Sequence, residues 1–275
     1  MTEPDPLLRL ANLSKSFGGL KAVSNLDMSV FPGEITALIG PNGAGKTTVF
    51  NCITGFTRAD EGNILFSNGT RSFDLKRLPP DRIVDLGLAR TFQNIRLFPN
   101  LSVIDHIKLG YFLRLRKGLR SAVMAIFSNR ADREAERVAS SLIDFVGLAD
   151  VWMEKPGVLP FGHQRKLELA RALATQPKIL LLDEPASGMN TQESQELKDL
   201  VKRIRDTGIA ILLIEHDMNV VMGISDRITV LDYGIKIADG SPAEIRLNEK
   251  VIEVYLGHGP ADACVGVQNG RTEAG

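Results

Sequence analysis

A glycine-rich segment at residues 40–47 restricts the possible folds of this chain to a small set. It reads GPNGAGKT, follows the apolar run EITALI, and precedes a segment predicted to be helical to about Ile53. Glycines at a strand-to-helix turn let backbone N–H groups converge on phosphate oxygens, and the helix start adds unpaired N–H groups and the positive end of its dipole. Lys46 then reaches the β and γ phosphates, and the Thr47 hydroxyl ligates Mg²⁺. The segment therefore predicts ATP or GTP binding by Gly40, Pro41, Asn42, Gly43, Ala44, Gly45, Lys46, Thr47 and Thr48.

A pair of carboxylates follows the apolar run ILLL at residues 179–182, where the sequence continues with Asp183 and Glu184. An aspartate at the end of a buried strand can hold Mg²⁺, and a neighbouring glutamate can act as a general base toward water. Asp183 is therefore predicted to be a metal residue and Glu184 the catalytic base. A strand that ends in an acidic turn is common without any such role, and the phosphate-binding segment upstream favours the functional interpretation.

The order of the predicted elements indicates an α/β fold. Continuous apolar runs at residues 179–182 and 210–214 are typical of parallel strands buried on both faces, and an amphipathic helix at residues 192–205 lies between them. The runs at residues 7–13 and 19–31 predict an antiparallel β portion on the N-terminal side. The predicted fold class is a P-loop NTPase core, in which helices cover a mixed or parallel sheet.

The domain organisation follows from the same patterns. Residues 7–257 are predicted to form one domain, and residues from about 79 to 174 a helical insert in it. Residues 1–6 are assigned to an N-terminal tail. Residues 258–275 are rich in glycine and lack an apolar period, so they are assigned to a disordered C-terminal tail.

Composition excludes several other classes of protein. The 33 basic and 33 acidic residues balance, so bulk electrostatics gives no reason to expect binding to nucleic acid. Two cysteines, Cys52 and Cys264, are too few for a disulfide scaffold and lack metal-site spacing. The N-terminus lacks the pattern of a signal peptide, and the longest apolar runs are the size of strands. The chain is expected to be soluble by itself, and it could still dock onto a membrane partner.

Three single residues are weaker candidates for the same site. Gln93 follows a predicted strand and could reach the metal and the attacking water, and His216 follows the run AILLIE, where α/β sites gather. Phe17 could stack on a purine ring. Each also has a simpler explanation: a surface glutamine, a histidine satisfied by local hydrogen bonds, or an aromatic residue of the core. The residues alone leave these alternatives open.

The order of these motifs resembles the nucleotide-binding subunit of ATP-binding cassette (ABC) transporters from about residue 8 to residue 256. Phe17 falls where that family has its adenine-stacking aromatic, GPNGAGKT falls on the Walker A motif, and LLLDEP on the Walker B motif. Gln93 falls on the Q-loop and His216 on the switch histidine. The resemblance implies ATP and Mg²⁺ as cofactors, and catalytic roles for Glu184, His216 and Gln93. It also implies a metal site made by Thr47, Gln93 and Asp183.

Two further motifs match the family less closely. Asn190, in SGMN, falls on the D-loop, where the usual pattern has Asp. The family signature is normally LSGGQ, and in its place this chain has Leu159, Pro160, Phe161, Gly162 and His163. The resemblance implies that these residues contact the ATP held by a second subunit. Since Pro160 has neither a hydroxyl nor a backbone N–H, we expect a working signature that uses the N–H groups of Gly162 and His163 at the helix start.

A closer resemblance leads to one branch of the family. The segments LARTFQNIRLFPNLSV, LDEPASGMN and LLIEHDM, with an arginine-rich stretch at residues 111–137, resemble the larger ATPase subunit of branched-chain amino acid importers. This implies a second nucleotide-binding subunit, in a homo- or heterodimer, and integral membrane permease subunits. A solute-binding protein would be an indirect partner, and nucleic acid would not be one. The implied location is peripheral, on the cytoplasmic face of the inner membrane.

Several alternatives remain at this level. An ABC-type ATPase that acts in translation or DNA repair usually carries two cassettes or a long coiled-coil insertion, and a GTPase would need an N-K-x-D-type motif; neither pattern is found. A subunit with a partly degenerate ATP site stays possible because Pro160, His163 and Asn190 depart from the family pattern. The transported solute is open. The basic stretch with Arg114, Arg116, Lys117 and Arg120 fits either a membrane contact or a solvated helix face.

Overall fold

A computed structural model describes residues 5–69, 71–115 and 129–257 of the chain. Its strands, in chain order, are β1 (Leu8–Phe17), β2 (Leu20–Val30), β3 (Ile35–Ile39), β4 (Glu61–Ser67), β5 (Ser72–Asp74), β6 (Leu88–Arg90), β7 (Ile179–Asp183), β8 (Ala210–Ile214), β9 (Arg227–Asp232) and β10 (Ile235–Gly240). Its α-helices are α1 (Lys46–Ile53), α2 (Pro80–Leu86), α3 (Val103–Leu115), α4 (Asn129–Val146), α5 (Phe161–Ala174), α6 (Thr191–Asp206), α7 (Met218–Ile224), α8 (Pro242–Leu247) and α9 (Glu249–Gly257). Short 3₁₀ turns lie at Leu75–Arg77, Ala149–Val151 and Pro156–Val158.

The core is a six-stranded sheet in the order β10-β9-β3-β8-β7-β6. Neighbouring strands are parallel except for β10, which pairs antiparallel with β9. Alternate residues of β7 face opposite sides: Leu180 and Leu182 pack with the helical part of the chain, whereas Ile179 and Leu181 pack against the second sheet and α1. Burial on both faces explains the continuous apolar runs of β7 and β8. The predicted α/β class is confirmed.

The second sheet is antiparallel, in the order β2-β1-β4-β5. Leu8 of β1 lies opposite Val30 of β2 on one side and Phe66 of β4 on the other. The buried side chains of this sheet pack together with those of α1 and with one face of the core sheet. The N-terminal antiparallel portion therefore places α1, and the loop before it, between two sheets.

Helices α3, α4 and α5 pack on one another and form the helical part of the molecule. The predicted helical insert, from about residue 79 to residue 174, contains a strand, β6. Leu88, Ala89 and Arg90 pair in parallel with β7 and extend the core sheet by one strand. A strand of three residues is too short to show a period of its own and forms because β7 offers it a partner. Gln93 thus lies three residues after the end of a strand of the core sheet.

Some predictions lie outside the described residues. These are the tail at residues 258–275, most of the tail at residues 1–6, and the basic residues Arg116, Lys117 and Arg120. Within the ranges that the structure describes, no helix is both long and apolar enough to cross a membrane.

Candidate nucleotide site

The glycine-rich segment forms the turn between β3 and α1. Gly45 is the N-cap of α1 with a φ of 100°, and no side chain caps this helix, so its first N–H groups are available to a ligand. Gly40 has a φ of 150°, and a Cβ there would lie 2.1 Å from the Leu231 carbonyl oxygen at the end of β9. Only glycine fits at that position. The structure therefore gives the loop the close backbone approach that phosphate binding needs.

Lys46 opens α1 and turns back over the loop. Its Nζ donates to the carbonyl oxygens of Gly40, at 2.8 Å, and Pro41, at 2.9 Å. Burial lowers the pKa of Lys46, and the negative charges of Glu184 and Asp183 act in the opposite direction. The phosphate-binding segment and the two carboxylates predicted at the end of β7 thus lie close enough to interact. A buried cation beside a turn of free N–H groups fits the phosphates of a nucleotide.

Asp183, at the end of β7, is paired with an arginine that the sequence analysis did not single out. Arg90 Nη2 lies 2.7 Å from Asp183 Oδ2, and the two side chains are only 8% and 9% exposed. Arg90 Nη1 donates to Asn51 Oδ1 at 2.8 Å and to Thr54 Oγ1 at 3.1 Å, both on or directly after α1. Arg90 therefore ties the helix that follows the phosphate loop to the strand that carries the carboxylates. In the sequence, the only indication of this role is that Arg90 lies in the segment LARTFQ, three residues before Gln93.

Glu184 brings three of the predicted residues together. Its backbone φ of 47° is left-handed, which is unusual for a residue other than glycine and recurs at functional sites. One carboxylate oxygen, Oε2, accepts from Gln93 Nε2 at 2.6 Å, and Oε1 lies 2.5 Å from His216 Nε2. The side chains that follow β6, β7 and β8 thus meet at the carboxyl edge of the sheet, where α/β sites lie.

Glu215 is a second residue that sequence reasoning missed. It lies at the end of β8 with 4% of its surface exposed, and burial raises its pKa. Its carboxylate accepts backbone N–H groups from Ala186 at 3.2 Å and His216 at 3.1 Å, with a longer contact to Asp217 at 3.4 Å. Glu215 therefore links the turn after β7 to the turn after β8. It also holds the peptide groups on both sides of His216, the residue that contacts Glu184.

The predicted signature residues form the start of α5. Pro160 is the N-cap, Leu159 is buried, and Phe161 is 41% exposed. A Cβ on Gly162 would lie 3.0 Å from Glu193 Oε1, so α5 approaches the first turn of α6 closely here. At that turn Asn190 Oδ1 accepts the Glu193 N–H at 2.9 Å, and Glu193 Oε2 accepts the Asn190 N–H at 3.1 Å; together they form a capping box. The signature and D-loop positions are therefore neighbours on one surface.

Phe17 ends β1 and is 51% exposed, with Lys15 Nζ 5.2 Å from its ring centre. The alternative of a core aromatic is therefore wrong, and the ring is accessible for stacking. Thr47 is also exposed, on the first turn of α1. Across the described part of the chain, no three His, Cys, Asp or Glu side chains cluster as metal ligands. Mg²⁺ commonly binds through one or two protein oxygens together with substrate phosphates, and Thr47 and Asp183 supply oxygens of that kind.

Sequence comparisons match the chain to proteins of known family. The family model described as "ABC transporter" matches residues 23–187, and that described as "Branched-chain amino acid ATP-binding cassette transporter" matches residues 236–261. The chain is 46% identical over 254 residues to the high-affinity branched-chain amino acid transport ATP-binding protein LivG of Escherichia coli K12. That match covers 92% of this chain and 98% of LivG. It is 40% identical, with the same coverage, to BraF of Pseudomonas aeruginosa, which carries the same description.

Solved structures show the same fold. The ADP conformation of MJ1267, an ATP-binding cassette of an ABC transporter, matches with a TM-score of 0.80 and 30% identity, covering 93% of this chain and all of that one. A nucleotide-free ATP-binding cassette from an ABC transporter matches with a TM-score of 0.78 and 31% identity, covering 92% of this chain and all of that one. The resemblance read from the motifs is confirmed, and the chain belongs to the ABC transporter family.

Proposed function

We propose that this chain is the ATP-hydrolysing subunit of an ABC importer for branched-chain or related amino acids. The observation that carries the catalytic part is the contact of Glu184 with both Gln93 and His216, beside a phosphate loop and a buried lysine. The solute class rests on the similarity to LivG and BraF, which are named for branched-chain amino acid transport.

Hydrolysis requires a base that takes a proton from the attacking water. Gln93 and His216 each hold one oxygen of the Glu184 carboxylate, and each oxygen keeps a second lone pair that can accept that proton. Lys46 and the N–H groups at the start of α1 would hold the β and γ phosphates. Thr47, Gln93 and Asp183 would hold Mg²⁺, which would neutralise charge on the phosphate oxygens.

Coupling to transport would use a second nucleotide-binding subunit. In the proposed assembly, each ATP lies between the phosphate loop of one subunit and the residues of the other at positions 159–163 and 190. ATP drives closure because only its γ-phosphate contacts both subunits, and hydrolysis releases it. The subunit would sit at the cytoplasmic face of the cell membrane, against integral membrane permease subunits that receive solute from a binding protein.

The test is ATPase activity of the chain assembled with its membrane subunits, comparing wild type with Glu184→Gln. Loss of the base is expected to lower kcat by about 10²–10⁴ and to leave ATP affinity unchanged. Glu61→Gln, at an exposed position of β4, is the matched control and should retain wild-type turnover. Full activity of Glu184→Gln would refute the catalytic assignment.

The solute is tested separately in the same assembly. Binding protein loaded with leucine, isoleucine or valine is expected to stimulate ATP hydrolysis, whereas binding protein mixed with lysine or glutamate is not. Stimulation by lysine or glutamate alone would refute the solute assignment and leave the ATPase assignment standing.

A further inference from the structure

Arg165 is the most deeply buried cation among the described residues, with no measurable exposure. It lies in the second turn of α5, shortly after the signature positions, and its Nη1 is 2.8 Å from Glu168 Oε2. Glu168 is only 2% exposed as well. Because a buried ion pair is costly to desolvate and stabilises little by itself, its other hydrogen bonds indicate what it does.

Those bonds go to the backbone around Gln93. Arg165 Nη1 donates to the carbonyl oxygen of Phe92 at 2.9 Å, and Nη2 donates to the carbonyl oxygen of Gln93 at 3.0 Å. Glu168 Oε1 accepts the N–H of Phe92 at 3.4 Å. The planar guanidinium suits this task, because its two nitrogens reach two successive carbonyl groups at once. The pair therefore holds the peptide groups on both sides of the Gln93 Cα atom.

The side chain of Gln93 lies at the other end of this arrangement. Its Nε2 donates to Glu184 Oε2 at 2.6 Å, so the placement of its backbone decides whether the amide reaches the carboxylate. A second tether, from Arg171 Nη1 to the carbonyl oxygen of Arg96 at 2.7 Å, holds the chain further along. Thus α5 holds residues 92–96 at two points, through Arg165 and through Arg171.

We propose that Arg165, held in place by Glu168, is a positioning residue that sets the distance between Gln93 and Glu184 from the signature helix. This assignment rests on the proposed function, since its kinetic effect is expressed through Glu184. In the proposed assembly, the first turn of α5 carries the residues that contact the ATP of the second subunit. A shift of that turn would therefore also move the Gln93 amide against the subunit's own catalytic carboxylate.

A substitution must separate this role from simple stabilisation. Arg165→Met alone would leave the Glu168 carboxylate buried and unpaired, and the chain could then lose its fold for that reason only. The double variant Arg165→Met/Glu168→Met removes both charges at similar volume, and such replacements of buried ion pairs are frequently tolerated. Arg165→Lys keeps the charge and loses the two-carbonyl contact. The control is Glu134→Met/Arg137→Met, a pair of the same spacing on α4 with side chains 45% and 76% exposed.

The first experiment is hydrogen exchange on the purified chain, which requires no catalysis. In Arg165→Met/Glu168→Met and in Arg165→Lys, two amides should exchange at least about tenfold faster, with β7 and β8 unchanged. They are those of Thr91, which donates to the Leu181 carbonyl oxygen, and Phe92, which donates to Glu168. The control variant should match wild type throughout. Unchanged protection of Thr91 and Phe92 would overturn the proposal whatever the outcome of the catalytic test. Faster exchange across the whole sheet would overturn it too, since the pair would then serve stability alone.

The second experiment is a double-mutant cycle with Gln93→Ala in the assembled transporter. The Arg165→Met/Glu168→Met variant should lower kcat about tenfold or more and leave the Kd for ATP within about twofold. Combined with Gln93→Ala, it should lower kcat by less than a further twofold or so, because its effect acts through that amide. Fully multiplicative losses would overturn the proposal. If Arg165→Met/Glu168→Met lowers kcat but Glu184→Gln does not, the result would count against the proposed function instead.

Discussion

Replacement of Arg90 with methionine should destabilise the folded chain by about 3–5 kcal/mol. The largest contribution is the Asp183 carboxylate, which would stay buried after losing a partner 2.7 Å away. Asn51 also loses a donor at 2.8 Å, whereas Thr54 keeps its hydrogen bond to the Phe50 carbonyl oxygen at 2.7 Å and contributes little. The guanidinium further lies 5.2–5.9 Å from three aromatic ring centres, those of Phe50, Phe56 and Phe92.

The assay is urea unfolding followed by far-UV circular dichroism, with wild type, Arg90→Met and Arg90→Met/Asp183→Asn compared. A loss of that size corresponds to a fall in Tm of about 6–20 °C for a domain of this length. The double variant should recover at least about 1 kcal/mol relative to Arg90→Met, because the unpaired charge is gone. Arg82→Met is the control: that side chain is 69% exposed with an acidic neighbour 3.8 Å away, and its loss should stay within about 0.5 kcal/mol. A loss below about 1 kcal/mol for Arg90→Met, or no recovery in the double variant, would refute the reasoning.

Two further predictions concern buried titratable groups. Burial lowers the pKa of His106, whose Nε2 accepts the Phe98 N–H at 2.9 Å and whose Nδ1 lies 2.8 Å from the Ser102 carbonyl oxygen. The folded chain thus binds a proton on His106 more weakly than the unfolded chain does. The contribution of neutral His106 to the free energy of unfolding should therefore be complete above about pH 6.5. Below that pH the free energy of unfolding should fall by up to about 1.4 kcal/mol per pH unit. His106→Gln should flatten that dependence in urea titrations at pH 7.5, 6 and 5, and equal slopes would contradict it. Burial raises the pKa of the Cys52 thiol to about 11, and the side chain is 1% exposed. In a Cys264→Ser chain, a thiol reagent at pH 7.5 should therefore modify native protein at least about 100-fold more slowly than urea-unfolded protein, and comparable rates would contradict this.

The parts of the site that could be predicted from sequence are those that a local pattern specifies. The loop before α1, Asp183 with Glu184 at the end of β7, and His216 after β8 each follow an apolar strand directly, and the structure gathers them at one edge of the sheet. Their contacts follow from parallel topology, because the carboxyl ends of neighbouring parallel strands lie together. The chemical roles of these residues remain predictions.

The parts that could not be predicted depend on partners distant in sequence. In the sequence, nothing distinguishes Arg90 and Arg165 from the other arginines. Only the carbonyl and carboxylate groups that surround them in the structure explain their burial. The strand β6 exists because β7 pairs with it, and its three residues carry no period of their own. Glu215 looks like the end of an apolar strand, yet it organises the backbone of two turns. Polar residues in the interior are set by tertiary geometry, which hydrophobic patterns do not encode.

The central place of β3 in the core sheet has a consequence for synthesis on the ribosome. Both neighbours of this strand, β8 and β9, come from the last third of the chain. The segment from Ile39 to Ala210 takes about 10–35 s to translate at typical rates. Throughout that interval the strand that leads into the phosphate loop lacks the partners that bury it. Nucleotide binding is therefore a property that the nascent chain acquires late, and the exposed apolar edge of β3 must be kept from aggregation until then.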